Sequence, residues 1–135
     1  MNKALLAWLP IMAVSPALAD EPERFSADDV FELEYAADPR ISPDGTQIVY
    51  ERRSNDIMTD GTRSNLWIID TDGDNHRPLV SGTASASSPR WSADGGRIAY
   101  VQPTDTGTGL FVRWLDTGQT GLVANLQKSP SDLSW

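Results

Sequence analysis

The sequence contains no cysteine, which excludes structural disulfides, thiolate metal ligands and a cysteine nucleophile. It contains a single histidine, His76, so any Ser-His-Asp triad within the chain would have to be built on that residue. No serine has a glycine two positions before it. The Gly-x-Ser-x-Gly turn that presents the nucleophile of an α/β-hydrolase is therefore missing. Basic residues are few, 11 Lys and Arg against 19 Asp and Glu, for a net charge of −8. That balance argues against a nucleic-acid partner, whose phosphates need a basic face, and against an anionic membrane surface. Beyond the N-terminus, no apolar run approaches the roughly 20 residues a membrane helix requires.

What is present fits a globular chain: 135 residues, 39% hydrophobic and 22% charged, enough for one ordinary domain at most. The N-terminus reads as an export signal. Lys3 precedes the apolar run Ala4 to Val14, and Ser15-Pro16-Ala17-Leu18-Ala19 ends in Ala-x-Ala. Cleavage is expected after Ala19, leaving a periplasmic or secreted chain that begins at Asp20 and has no membrane contact. Residues 20–37 are expected to form a polar lead and one short helix. Ser26 is placed as its cap, Asp29 stands at the capping-box position, and Phe25 and Val30 are spaced as a hydrophobic staple. Pro39 disfavours helical geometry at Asp38, so the helix is expected to end near Ala36 or Ala37.

The rest of the chain is organised by a repeat. Ile41-Ser42-Pro43-Asp44-Gly45-Thr46-Gln47-Ile48-Val49-Tyr50 returns as Trp91-Ser92-Ala93-Asp94-Gly95-Gly96-Arg97-Ile98-Ala99-Tyr100. A third copy is expected to begin at Asp132-Leu133-Ser134-Trp135 and to be cut off there. Each copy reads as a tight turn followed by a strand with apolar residues on both faces, as in sheets stacked face to face. Further strands are expected at Leu66 to Ile69 and Leu110 to Leu115. Arg77-Pro78-Leu79-Val80 reads as a short outer strand, answered by Leu122-Val123. Arg52 to Arg63 and Pro103 to Gly109 read as loops. A repeat of this length matches a propeller blade, about 40–50 residues. The expected architecture is all-β, the first four-stranded antiparallel blades of a β-propeller, with blade 1 at 38–88, blade 2 at 89–130 and the start of blade 3 at 131–135.

No catalytic, cofactor or metal site emerges. His76 reads as a solvated turn residue. Asp70-Thr71-Asp72-Gly73-Asp74 invites comparison with a calcium loop, but Asn75 and Ser81 occupy the positions where an EF-hand needs Gly and Glu; a hairpin turn is expected instead. Gly95-Gly96 and Gly107-Thr108-Gly109 lack the Gly-Lys-Ser/Thr of a phosphate loop. Trp67 and Trp114 lie on strands and Trp91 and Trp135 are repeat-equivalent, which favours packing over ligand stacking. Arg52 and Arg53 are either solvated loop charges or a carboxylate clamp facing a central channel.

The stretch Phe25-Ser26-Ala27-Asp28-Asp29-Val30, followed by Asp38-Pro39-Arg40-Ile41-Ser42-Pro43-Asp44-Gly45, resembles the N-terminus of exported prolyl-oligopeptidase-family serine peptidases of the acylaminoacyl-peptidase and dipeptidyl-peptidase-like branch. Ala93 departs from that pattern, where the family has proline. The resemblance implies a propeller that gates access of short peptides to a C-terminal hydrolase domain, whose Ser, Asp and His map onto no residue here. The same turn repeat also resembles Tol-system propellers, which implies the alternative of a non-enzymatic periplasmic module binding protein or peptide partners. A third possibility is a stand-alone small β-domain. Two blades do not close a ring, which takes about four or more, so an exposed blade face and low stability are expected of the chain alone.

Overall fold

A computed structural model describes residues 24–26 and 29–135. The export signal expected at 1–19 lies outside the described residues, as does most of the lead that follows it. Among the described residues, eight strands form two sheets of identical layout. The first contains β1 (Glu34–Ile41), β2 (Gln47–Asp56), β3 (Gly61–Asp70) and β4 (Arg77–Val80). The second contains β5 (Ser87–Trp91), β6 (Arg97–Thr104), β7 (Gly107–Trp114) and β8 (Thr120–Leu126). Both are antiparallel meanders in strand order.

The repeated turn folds by its own side chains. Ser42 Oγ donates to Asp44 Oδ1 at 2.6 Å, and the same carboxylate oxygen accepts from Thr46 N at 3.1 Å. Ser42 Oγ in turn accepts from Gln47 N at 2.9 Å. In the second copy Ser92 Oγ donates to Asp94 Oδ1 at 2.5 Å, Gly96 N donates to Asp94 Oδ1 at 3.0 Å, and Arg97 N to Ser92 Oγ at 3.0 Å. Gly45 and Gly95 sit at φ 77° and 71°, a region costly for residues with a Cβ. None of these bonds uses the second turn position. Pro43 there only presets φ, so Ala93 supports the same turn.

The structure departs from the sequence expectations in four places. The helix α1 is only Asp29–Glu32. One bond of its capping box forms, Ser26 N donating to Asp29 Oδ2 at 2.5 Å, but Phe25 and Val30 both stay exposed. The residues expected to extend it, Glu34 to Ala37, instead pair with Glu51 to Ser54 of β2. The free edge of β2 offers a full set of backbone partners, and that outweighs weak helix propensity in a short segment. Arg52 to Arg63 is not a loop. It is the outer half of a long hairpin whose turn is confined to residues 57–60. Polar residues hold this ladder as well as apolar ones because its bonds are made by backbone; an Arg63–Asp56 ion pair at 2.5 Å is added. Pro103 to Gly109 likewise belongs mostly to β6 and β7. Finally, Val123, rather than Leu122, is the counterpart of Leu79, since each is the residue skipped at the bulge of its outer strand.

The two sheets stack face to face. Val49, Leu66 and Ile68 on one face of the first sheet form a single core with Ile98, Tyr100 and Phe111 of the second, closed by Leu79, Ala86 and Trp91. β5 lies against β1, β2 and β3, so the first strands of the two sheets form their converging inner edge.

Candidate functional site

The polar groups that the fold brings together lie along the inner edge of this seam. In both inner strands the residue before proline is left-handed, Asp38 at φ 44° and Ser88 at φ 56°, and the register shifts there. Left-handed geometry is uncommon for residues other than glycine, and here each bulge turns a polar group toward the neighbouring blade. Ser88 N donates to Glu51 Oε1 at 2.8 Å. The Glu51 carboxylate is 2% exposed, and its second oxygen accepts from Arg53 Nε at 2.8 Å. That bond holds the Arg53 guanidinium above its ordinary pKa. Asp38 reaches the other way: its carboxylate pairs with Arg90 at 2.8 Å and Arg40 at 2.6 Å. Arg90 Nε also donates to Leu133 O at 3.0 Å, so one guanidinium joins both blades and the segment after them.

Two tryptophans repeat one contact. Trp91 Nε1 donates to Arg40 O at 2.8 Å, and Trp135 Nε1 donates to Arg90 O at 3.1 Å. Trp135 thus stands toward blade 2 as Trp91 stands toward blade 1.

The residues singled out in the sequence fall as follows. His76 is exposed, within hydrogen-bonding distance of Tyr50 Oη at 2.7 Å and tilted against Trp67 at 4.8 Å between ring centres. A phenol, and no serine or threonine hydroxyl, is its side-chain partner. Asp70 to Asp74 form a hairpin turn in which Asp70 accepts from Asn75 Nδ2 and Gln47 Nε2, bonds that lower its pKa. Arg52 and Arg53 are not on an inner strand and do not face the converging edge as a free clamp. Arg53 is committed to Glu51, and Arg52 pairs with Glu34 and lies 4.5 Å over the Trp67 ring. Reading the sequence missed Asp38, Glu51 and Arg90. One signal was available: Glu51 follows Val49 at strand spacing and so shares its buried face.

A groove of about 670 Å³ opens at the turn end of the seam between Gln47, Arg77, Asp94, Arg97, Trp114 and Asp116. No group of three or more His, Asp or Glu side chains among the described residues is close enough to share a metal ion. The charged groups of the inner edge are paired with one another and tie the two blades together.

Within the groove, Asp94 is held at a pKa of about 2, chiefly by the Ser92 hydroxyl and then by Gly96 N–H. A carboxylate whose pKa is depressed on folding adds stability that is complete above its unfolded value and is lost as pH falls through the folded one. Asp94→Asn is therefore expected to flatten the acid side of the stability curve between pH 4 and about 2, measured by urea unfolding at successive pH values.

The sheet layout, the repeated turn and the face-to-face seam define two consecutive blades of a β-propeller. No protein-family model matches the sequence. Over 111 residues, 82% of this chain, it is 26% identical to an uncharacterized peptidase, YuxL, of Bacillus subtilis. It is 39% identical over 61 residues, 45% of the chain, to dipeptidyl-peptidase 5 of Porphyromonas endodontalis. It is also 42% identical over 66 residues, 49% of the chain, to the Tol-Pal system protein TolB of Dechloromonas aromatica. The chain covers between 9% and 17% of the length of these relatives. Among solved structures it resembles an acylaminoacyl peptidase bound to a chloromethyl ketone, with a TM-score of 0.59 at 20% identity over 69% of this chain and 14% of that one. The propeller domain of the trilobed protease of Pyrococcus furiosus gives a TM-score of 0.57 at 20% identity over 70% and 28%. The resemblance to prolyl-oligopeptidase-type propellers read from the sequence is borne out, and so is the propeller fold.

Proposed function

We propose that these residues are the opening blades of the N-terminal propeller of an exported serine peptidase that hydrolyses short peptides. The observation carrying this reading is the extent of one match: the peptidase YuxL aligns with 82% of the chain, whereas TolB of Dechloromonas aromatica and of Methylobacillus flagellatus align with 49% and 64%. In this reading residues 1–19 are removed on export to the periplasm or medium, blade 1 follows the short N-terminal helix, and Trp135 opens a third blade. The completed propeller limits access by size and guides peptides toward a C-terminal α/β-hydrolase domain outside this span. The inner edge around Asp38, Arg40 and Arg90 serves as scaffold and performs no bond cleavage.

A second reading, a non-enzymatic periplasmic propeller that binds protein or peptide partners, is favoured by the higher local identity to TolB, 42%. The coding sequence that follows Trp135 separates the two. The peptidase reading expects more blades, then Gly-x-Ser-x-Gly with a later Asp and His; blades alone, with no such motif, would support the Tol-like reading. The 135-residue chain by itself is expected to release no chromophore from peptide substrates, and turnover sensitive to His76→Ala would contradict both.

A further inference from the structure

We propose that the seam between the two blades is a clasp that does not part on its own, so that blades 1 and 2 open and move as one rigid unit. The proposal concerns contacts inside the chain and stands on either functional reading, since both contain this seam. Apolar burial is non-directional, whereas hydrogen bonds across a joint fix its geometry. Blade 1 supplies such bonds from three side chains. Ser64 is buried and holds the segment that enters blade 2. Its N–H donates to Ser85 Oγ at 3.1 Å, its hydroxyl donates to Ala86 O at 2.8 Å, and its carbonyl accepts from Ala86 N at 2.9 Å. Glu51 accepts from Ser88 N two residues further on, and Asp38 pairs with Arg90 two residues beyond that. The start of blade 2 is therefore fastened to blade 1 at Ala86, Ser88 and Arg90.

These ties are not a product of the repeat. The turn alignment and the matching register of β2 with β3 and of β6 with β7 give the counterparts of Asp38, Glu51 and Ser64. They are Ser88, Val101 and Thr108. Val101 has no acceptor, and Ser88 has no charge to hold an arginine. Ser134, which precedes Trp135 as Arg90 precedes Trp91, has no guanidinium to offer. Of the side-chain bonds across the first seam, the tryptophan one recurs at Trp135. The sequence thus repeats the fold without repeating the fastening. Parting the first seam would expose the shared core of Val49, Leu66, Ile68, Ile98 and Tyr100 and break the polar ties in the same step. That coupling makes the opening of the two blades a single event.

The test is native-state hydrogen exchange at increasing urea, read by mass spectrometry on the exported protein that carries these blades. Peptides from β2 and β3 of blade 1 and from β6 and β7 of blade 2 are expected to converge on one opening isotherm with a common urea slope. The double variant Asp38→Asn, Glu51→Gln keeps side-chain size and removes both charges from the ties. In it blade 2 is expected to open on a separate isotherm, at lower urea than blade 1. If that variant fails to fold, Asp38→Asn combined with Ser64→Ala takes its place, with the same split expected. Two separate isotherms in the unaltered protein overturn the proposal. So does a folded variant whose blades still open together, because the ties would then not be what joins them.

Discussion

Glu51→Ala is expected to destabilise the chain by about 2–3 kcal/mol, because it removes a buried carboxylate that accepts from a half-buried N–H and pairs with a guanidinium. Glu51 is 2% exposed and joins Ser88 N of one blade to Arg53 of the other. Removing the carboxylate leaves Ser88 N–H, at a half-buried position, without its acceptor. Glu51→Gln keeps one acceptor oxygen and is expected to lose about half as much. The exposed Arg52–Glu34 pair provides the contrast. Both partners are at least a third exposed, so Arg52→Ala should cost at most about 1 kcal/mol. Urea unfolding at neutral pH, followed by tryptophan fluorescence, checks the order; equal losses for Glu51→Ala and Arg52→Ala would contradict a buried tie between blades.

Ile68→Ala is expected to cost about 2–5 kcal/mol, the range for emptying a fully buried aliphatic position. Ile68 is 0% exposed within the core shared by both sheets. Against the roughly 5–15 kcal/mol that stabilises an ordinary domain, such a loss is a large share of the total. Its neighbour Ile69 has the same chemistry but points to the opposite, half-covered face. In dilute solution Ile69→Ala should therefore cost less than half as much. Comparable losses at both positions would mean that both faces of the first sheet are buried in the single chain.

The repeated turn was legible because Ser42, Asp44 and Gly45 make its bonds and supply its left-handed residue. Each residue type there has one local physical job, and each copy spells it out. The core strands Ile48 to Tyr50, Leu66 to Ile69 and Ile98 to Val101 were legible for a similar reason, since β-branched and aromatic residues fill both faces. The inner strands β1 and β5 were not. Their Asp38-Pro39 and Ser88-Pro89 bulges interrupt alternation, and their pairing is set by the free edges of β2 and β6, which no local pattern announces. The outer limbs of the long hairpin were hidden because backbone pairing needs no apolar side chains. The polar ties were hidden for a different reason. Burial of Glu51 depends on a blade contributed from further along the chain, and Arg90 finds Asp38 and Leu133 only after three segments converge. His76 shows the opposite case: its placement in an exposed turn was legible, while its contact with Tyr50 and Trp67 depends on strand register.

The most direct test of the central claim is active-site labelling of the protein as cells produce it. An antibody raised against residues of the two blades should capture from the exported fraction a polypeptide much larger than 14.8 kDa, and a fluorophosphonate probe should label it covalently in a heat-sensitive manner, as expected for an activated serine. Capture of an unlabelled polypeptide, or of one no larger than 14.8 kDa, would contradict the account.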